Sequence, residues 1–258
     1  MDSAVHFFEF AAEVGLTKHL GNIEATDRLI ELCGIRSGDY VLDVGCGVGA
    51  TPIYLAKHCG CRVMGVDILP RMVDRARELA EKQGISQMVE FKTADAQELP
   101  FPDHLFDVVI TESVTAFPED KQRAVSEYAR VLKPGGYVGL NESTWLKTPI
   151  PPEIANWTAR QVGSSATPLL QDEWISLLKK AGFKDLFVKI QEIDLKEEAA
   201  GIFRRYGFRR MMGVMGRTLK LYVRNTAYRE FARKLKQEGV TPENLSEYFG
   251  YGIYIGRK

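Results

Sequence analysis

The sequence predicts an α/β fold: a doubly wound, mostly parallel sheet of seven strands, with a helical insertion before the last strand. Short apolar segments alternate with amphipathic helical segments from about residue 37 onward, and a glycine-rich loop, "GCGVG", directly follows the first apolar segment. Acidic residues stand at the ends of several predicted strands. Helices between strands make parallel crossovers, and ligands of such sheets bind beyond the carboxyl ends of the strands.

Length and composition favour one large α/β domain. The chain has 258 residues, 45% of them hydrophobic and 26% charged, and its formal net charge is zero. The totals therefore give no reason to expect a nucleic-acid or membrane partner. The four cysteines, clustered in the first quarter at 33, 46, 59 and 61, suit neither a disulfide framework nor a metal site. We expect reduced thiols, no bound metal, no secretory signal and a cytoplasmic location.

The first element is an N-terminal helical segment over residues 1–36, which we expect to act as a lid. In "NIEATDRLIELCGI" the apolar residues fall roughly on one helical face, and "SGD" then breaks the chain before the first strand. If this segment closes over the binding site, residues near Phe10, Lys18 and His19 would belong to the pocket.

Five strands and their helices follow in order. The strands are "YVLDV", "RVMGVD", "MVEFKTAD", "FDVVITES" and "YVGLNES". The intervening helices are "TPIYLAKHC", "LPRMVDRARELAEKQG" and "EDKQRAVSEYARVLKPGG". Pro52 suits a first helical turn, Gly84 suits a C-terminal cap, and Pro134 with the following glycine pair ends the last of these helices.

The remaining elements complete the sheet. A proline-rich connection leads to the helix "LLQDEWISLLKKAGF", the sixth strand "KDLFVKIQEI" and the last strand "YFGYGIYIGRK". The core then comprises residues 37–194 and 248–258. Residues 195–247 are too many for a hairpin turn, so we expect a mostly helical insertion that forms a cap.

The spacing of the glycine loop discriminates between two adenosine ligands. Gly45, Gly47 and Gly49 are spaced G-x-G-x-G, whereas dinucleotide sites use G-x-G-x-x-G with a pyrophosphate on the next helix. Asp43, two residues before the first glycine, is a poor neighbour for a pyrophosphate. It suits a ligand with an ammonium group and no phosphate, which favours S-adenosylmethionine over NAD.

Two further acids indicate an adenosine. Asp67 closes the second strand 18 residues after Gly49, near the spacing of about 20 expected for an acid that accepts from ribose hydroxyls. This spacing serves NAD and S-adenosylmethionine alike. Asp95, at the end of the third strand, is placed to accept from the adenine amino group.

At this point the sequence resembles the class I S-adenosylmethionine-dependent methyltransferases over about residues 40–145. The resemblance rests on "VLDVGCGVG", "VMGVDIL", "ADAQELPFPDHLFDVV" and "RVLKPGG" in this order. The last two are typical of the small-molecule subgroup with ubiquinone, menaquinone, sterol and arsenite methyltransferases. The resemblance implies a Rossmann-like methyltransferase fold, S-adenosylmethionine as cofactor and S-adenosylhomocysteine as product. The insertion departs from the family, where the last two strands form a hairpin.

The resemblance also implies a set of cofactor-binding residues at strand ends and in adjoining loops: Asp43, Gly45, Cys46, Gly47, Gly49, Asp67, Ile68, Met72, Asp95, Ala96 and Glu112. Within this set the glycine loop would contact the methionyl portion through its backbone. Asp43 would orient the loop and the ammonium, Asp67 would bind both ribose hydroxyls, and Ile68 would lie against adenine. Asp95 and Ala96 would read the adenine edge. For Asp43 and Asp67 the structural alternative is capping of the loop and the next helix.

Methyl transfer from a sulfonium requires alignment first, and a general base only where the acceptor must lose a proton. The candidates for a base are Glu112, Asn141 and Glu142, with Glu142 preferred. The alternative for Glu142 is a strand-end carboxylate bonded to a helix N-terminus. Trp145 and Trp157 either wall the acceptor pocket or serve ordinary packing.

The insertion carries an unusual charge pattern. No acid occurs from Ala199 to Arg229, whereas eight basic residues are interleaved with apolar ones. The basic residues are Arg204, Arg205, Arg209, Arg210, Arg217, Lys220, Arg224 and Arg229. Four interpretations stay open: a cap whose arginines hold an anionic substrate, a peripheral contact of 199–229 with anionic lipid, an RNA-binding patch, and a solvated basic face.

The sequence therefore predicts an S-adenosylmethionine-dependent methyltransferase that acts on a small or lipid-like acceptor. The alternatives are an RNA methyltransferase and a non-catalytic S-adenosylmethionine-binding protein. The N-P-P-Y or D-P-P-Y motif of nucleic-acid amino methylation is absent, which disfavours nucleic acid as the acceptor. Asp43 and the glycine spacing disfavour an NAD-dependent oxidoreductase. Neither the acceptor's identity nor the oligomeric state follows from the sequence.

Overall fold

The fold is built around a mixed sheet of eight strands. The computed structural model describes residues 3–17, 19–162, 166–237 and 241–258. The strands are β1 Tyr40–Val44, β2 Arg62–Asp67, β3 Val89–Thr93, β4 Phe106–Glu112, β5 Leu132–Trp145, β6 Leu169–Leu170, β7 Lys184–Glu192 and β8 Phe249–Arg257. The helices are α1 Ser3–Val14, α2 Asn22–Cys33, α3 Ala50–Cys59, α4 Pro70–Lys82, α5 Lys121–Val131, α6 Pro152–Val162, α7 Gln171–Lys180, α8 Leu195–Arg224, α9 Thr226–Gln237 and α10 Leu245–Tyr248.

The strand order is β3-β2-β1-β4-β5-β8-β7, which confirms the predicted doubly wound sheet. Pairs among β1 to β5 are parallel, and β8 runs antiparallel between β5 and β7. The order reverses between β1 and β4, so this is where a ligand of such a sheet is expected to bind. The eighth strand is the two-residue β6, which pairs with Thr144 and Trp145 on β5. The proline-rich connection gave no signal for it.

One boundary differs from the prediction. The helix α5 ends at Val131 and β5 begins at Leu132, ahead of Pro134 and the glycine pair that we expected to separate the two elements. The reason is tertiary, because Leu132 is fully buried and pairs with Phe106 of β4. The register then shifts between Phe106 and Val108, which accommodates the extra residues.

Both faces of the sheet are covered by helices, which explains the near-continuous apolar runs of its central strands. One face packs against α5 and α7, with Tyr128, Trp174 and Tyr254 fully buried. The other packs against α2, α3 and α4, with Leu29 and Ile110 fully buried. The two faces matter for the site, because consecutive side chains of one strand enter different layers.

The insertion is helical where the structure describes it, although its division from the core stays a prediction. It comprises α8, α9 and α10, and α8 packs against α1 and α2. The helix α8 breaks at Gly207, whose φ of 69° and ψ of 162° lie in a region that only glycine adopts readily. Within the described ranges, no helix is both long enough and apolar enough to cross a membrane.

Candidate active site

The glycine loop after β1 is a tight turn that only glycine permits. Gly45 and Gly47 have φ values of 76° and 52°, in the left-handed region. A Cβ on Gly45 would lie 2.2 Å from a methyl carbon of Val114, and one on Gly47 would lie 3.0 Å from Thr17. The amides of Gly45 and Cys46 donate to the Val66 carbonyl at 2.7 and 2.9 Å, which anchors the loop to β2. The absence of a Cβ at these two glycines therefore lets Val114 and Thr17 pack directly against the loop backbone.

Asp67 braces this loop from the end of β2. Its Oδ2 accepts from the Gly47 amide and its Oδ1 accepts from the Leu69 amide, both at 2.9 Å. These contacts are the capping that we gave as the structural alternative. Burial raises the pKa of Asp67, and the two amides partly oppose that shift. Each carboxylate oxygen keeps a further lone pair, so binding of the ribose hydroxyls stays a prediction.

The residues predicted to hold the adenine ring surround the same edge of the sheet. Ile68 is 63% exposed, which leaves an apolar surface available to a flat ring. The carboxylate of Asp95 accepts from the backbone and side-chain nitrogens of Gln97, and Ala96 is buried. Met72 is buried in a small cluster with Ala12 of α1. Contact between a ligand and Met72 would therefore require α1 to move.

Two acids share one face of the sheet at the switch point. Asp43 pairs with Ile110 in register, so it lies on the same face as Glu112, two residues farther along β4. Glu112 accepts hydrogen bonds from the hydroxyls of Thr26 and Thr51, each at 2.8 Å. Asp43 is 2% exposed, and its Oδ2 has no hydrogen-bond partner among the described residues.

The electrostatics of this acid pair favour a cation. Burial, and then the negative charge of Glu112, raise the pKa of Asp43 well above its usual range. A buried carboxyl that lacks a partner is costly, and a positively charged ligand group nearby would favour its ionised form. The pair of acids is therefore compatible with a ligand that carries an ammonium group, and this role of Asp43 stays a prediction.

A positively charged side chain of α8, whose position the sequence motifs did not predict, reaches this pocket. Arg205 Nη2 donates to Thr51 Oγ1 at 2.6 Å, and Arg205 Nη1 contacts His19 Nε2. His19 Nε2 lies 3.4 Å from Glu112 Oε2. Burial lowers the pKa of His19 to about 4, so its ring is neutral at neutral pH. The insertion thus contributes one of the eight basic residues of 199–229 to the predicted cofactor site.

Glu142, the preferred base, faces the opposite side of the sheet from Glu112. Glu112 pairs with Asn141 in register, so the next side chain along β5 points the other way. Glu142 Oε1 accepts from the amides of Val114 and Thr115 at 3.1 and 2.7 Å. It is fully buried, and burial raises its pKa to about 7. These amides belong to the loop between β4 and α5, so Glu142 is bonded neither to a helix N-terminus nor to a group in the Glu112 pocket. Catalytic roles for Glu112 and Glu142 stay predictions.

The remaining candidates are two tryptophans, which lie in one apolar cluster, and the cysteine of the glycine loop. Trp157 is buried in a cluster with Phe249, whose ring meets Trp145 edge to face at 5.4 Å. Cys46 is buried, and its pKa is raised well above the usual range by burial and then by Asp67, so its thiol is neutral.

The N-terminal segment lies directly over the glycine loop. Thr17 covers Gly47, and the Tyr206 hydroxyl of α8 donates to the Thr17 carbonyl at 2.5 Å. Phe10 contacts Tyr228 of α9, with ring centroids 4.9 Å apart. His19 reaches the pocket as predicted, whereas Lys18 lies outside the described residues. Entry of a ligand at the loop therefore requires this segment and α8 to separate.

Comparison with known proteins identifies the same region. Residues 42–140 match the family model described as "Methyltransferase domain". A protein of Haemophilus influenzae described as "Uncharacterized protein" is 32% identical over 231 residues, which are 88% of each chain. The 27-O-demethylrifamycin SV methyltransferase of Amycolatopsis mediterranei is 37% identical, over 62% of this chain and 59% of its own.

A lipid-modifying relative and a solved structure extend the comparison. Sterol 24-C-methyltransferase ERG6B of Gibberella zeae is 35% identical, over 69% of this chain and 48% of its own. This chain therefore spans only about half the length of the relatives with named activities. Phosphoethanolamine N-methyltransferase 2 of Haemonchus contortus, solved with S-adenosyl-L-methionine, superposes with a TM-score of 0.72 at 21% identity, over 93% of this chain and 53% of its own. At that identity the likeness shows the fold.

Proposed function

The chain belongs to the class I S-adenosylmethionine-dependent methyltransferases, and on that premise we propose that it methylates a lipid-like acceptor taken from an anionic membrane surface. The single observation that carries the acceptor class is the outer face of α8, described below. A small-molecule acceptor is in keeping with the named relatives, whose acceptors are a rifamycin and a sterol. The cytoplasmic location expected from the cysteine content stays a proposal.

The residues at the switch point fit the cofactor. The loop has no side chain at positions 45, 47 and 49, and Ile68 presents an exposed apolar surface beside Asp67. Among the described residues, Asp43 has a buried oxygen without a hydrogen-bond partner. When bound, the cofactor supplies a methyl group on a sulfonium, which a nucleophile displaces in line. The chain's own task is then to orient both ligands and to exclude water, for which α1 and α8 already lie over the loop.

The outer side of α8 carries most of the large apolar side chains that are exposed in the described part of the chain. Nine large apolar side chains are exposed among the described residues, and seven of them lie on this helix. They are Phe203, Phe208, Met212, Met215, Leu219, Tyr222 and Val223, which together we call the outer face. A contiguous exposed apolar patch marks an interaction site more often than chance packing.

The charge around the outer face selects an anionic lipid surface as its occupant. Residues 199–237 contain eleven basic residues and one acidic residue. Arg205 enters the pocket and Arg204 pairs with acids, whereas Lys220 and Arg224 are exposed on α8. Each basic side chain near an anionic membrane contributes about 1 kcal/mol, and apolar side chains add burial at the headgroup boundary. A second copy of the chain would bring two basic surfaces together. RNA would be stacked on aromatic rings, whereas four of the seven outer-face residues are aliphatic or methionine.

A vesicle assay tests this proposal. We expect the protein to co-sediment with phosphatidylglycerol vesicles and not with phosphatidylcholine vesicles, and salt to weaken the binding. Phe208→Glu combined with Leu219→Glu should weaken it at least about 10-fold, because two apolar side chains that the membrane would bury are replaced by anionic ones. Phe187→Glu, at an apolar position of β7 that is 40% exposed, is the matched control.

The same vesicles carry the test of the acceptor. With methyl-labelled S-adenosylmethionine and a total membrane extract in the vesicles, we expect label in the organic-extractable fraction, and less of it with the double variant. Equal vesicle binding by the double variant, or label confined to water-soluble products, would contradict the proposal. No labelled product with any acceptor class would favour the non-catalytic S-adenosylmethionine-binding alternative.

A further inference from the structure

The strongest unexplained feature of the site is Arg205, because its guanidinium enters the pocket from outside the region that matches the family model. It lies on α8, one residue before Tyr206 and two before the break at Gly207. Tyr206 is fixed by its hydrogen bond to Thr17. The side chain of Arg205 therefore reaches the pocket only when α8 is closed over the glycine loop.

Among the described residues no carboxylate lies within ion-pair distance of the Arg205 guanidinium, although its positive charge lowers the pKa of Asp43. In the described part of the chain, its guanidinium hydrogen-bonds only to the neutral groups of Thr51 and His19, and it lies 6.0 Å from the ring centre of Tyr206. Half-buried guanidinium groups are normally paired with an anion, most strongly through two parallel hydrogen bonds. Arg205 is thus positioned to receive a carboxylate that the protein itself does not supply.

The acids lie next to this cation. Thr51 Oγ1 accepts from Arg205 and donates to Glu112, so one hydroxyl separates the guanidinium from a carboxylate. His19 likewise contacts both Arg205 and Glu112. Asp43, with its oxygen that lacks a partner, lies on the same face of the sheet. The pocket therefore presents negative and positive groups side by side, which is the arrangement complementary to a zwitterion.

We propose that Arg205 binds the carboxylate of the amino-acid end of S-adenosylmethionine, while Asp43 receives its ammonium. The inference rests on the cofactor named under the proposed function and adds a binding residue from the insertion. Because Arg205 lies on α8, the proposal makes the closure of α8 over the glycine loop a part of cofactor binding. The glycine at 207 lets the two halves of α8 change direction next to that residue.

The affinities of two ligands distinguish carboxylate binding by Arg205 from a general effect of this residue on the pocket. S-adenosylhomocysteine has the amino-acid end, whereas 5′-methylthioadenosine has the same adenosine and a thioether but lacks it. We expect Arg205→Ala to weaken S-adenosylhomocysteine about 10- to 100-fold, the usual cost of losing a charged hydrogen bond. Binding of 5′-methylthioadenosine should change by less than about twofold, because that ligand never touches Arg205.

Controls make the result decisive. Arg204→Ala removes the adjacent exposed arginine, which pairs with Glu24 and Glu197, and should leave both affinities unchanged. Arg205→Lys should recover part of the affinity for S-adenosylhomocysteine, because it keeps the charge without the planar fork. If a thermal melt shows that Arg205→Ala does not fold, Arg205→Gln replaces it. Glutamine is also neutral, and it changes the volume of the side chain less than alanine does.

The outcomes are distinct. An equal loss for both ligands would mean that Arg205 only supports the pocket, and it would overturn the inference. So would unchanged binding of S-adenosylhomocysteine by Arg205→Ala. If the unmodified protein binds neither ligand, the cofactor assignment fails together with the inference. Calorimetry on the full chain gives all of these affinities without an activity measurement.

Discussion

We expect Asp67→Ala to weaken binding of S-adenosylhomocysteine about 100-fold or more, because the hydrogen bonds predicted between this carboxylate and two ribose hydroxyls would contribute about 1.5–3 kcal/mol each. The same change frees the amides of Gly47 and Leu69, which now donate to this carboxylate. The variant therefore removes both the carboxylate that holds the glycine loop in place and the predicted hydrogen-bond acceptor of the ribose. Isothermal titration calorimetry measures the loss directly.

The control for Asp67→Ala is Asp74→Ala. Asp74 lies on α4 and forms an exposed ion pair with Arg77, so its removal should leave the affinity within about twofold of the unmodified protein. An Asp67→Ala protein that still binds S-adenosylhomocysteine within threefold of the unmodified protein would show that this carboxylate only caps the loop. The ribose would then have to be held by another group.

Glu142→Gln changes how stability depends on pH. Burial raises the pKa of Glu142 to about 7 in the folded protein, whereas an unfolded glutamate titrates near its ordinary value of 4.5. Between those values the folded state holds more protons, so the free energy of unfolding falls as pH rises and stays low above pH 7. From pH 4.5 to pH 7 the free energy of unfolding falls by about 3 kcal/mol for this reason, and the fall is absent in the variant. Glutamine still accepts from the two amides through its oxygen.

Urea denaturation from pH 4 to pH 8 checks the Glu142 prediction. The stability of Glu142→Gln relative to the unmodified protein should rise across this range, whereas Glu81→Gln, at an exposed position of α4, should give a parallel curve. Parallel curves for Glu142→Gln as well would contradict a buried, raised pKa. The measurement is independent of catalysis, so a fall in methyl-transfer rate can be assessed separately as evidence for a base.

The doubly wound, mostly parallel character of the sheet and the glycine loop were predictable because local patterns indicate them. Alternating strands and helices require parallel crossovers, and the glycines at 45 and 47 occupy backbone conformations that other residues avoid. The end of α5 was not predictable from local signals. The segment around Leu132 has no helix-stopping residue before Pro134, and it is its pairing with Phe106 that ends the helix early.

The composition of the pocket could be predicted only in part. Asp43 and Glu112 follow from strand ends, and their common face follows from the two-residue period once the register is known. The same period sends Glu142 to the opposite face, which the sequence alone did not reveal because the register of β4 and β5 was unknown. Arg205 lies on a helix far along the chain. The sequence showed its positive charge but did not show that its side chain reaches the pocket.

The most direct test of the account is a titration of the protein with S-adenosylmethionine, S-adenosylhomocysteine and NAD, followed by native mass spectrometry. The central claim is that the G-x-G-x-G loop and Asp43 hold an adenosine ligand with an ammonium group and no pyrophosphate. We predict one equivalent of either S-adenosyl compound per chain and no binding of NAD at matched concentration. Binding of NAD without either S-adenosyl compound would contradict the claim and the role given to Asp43.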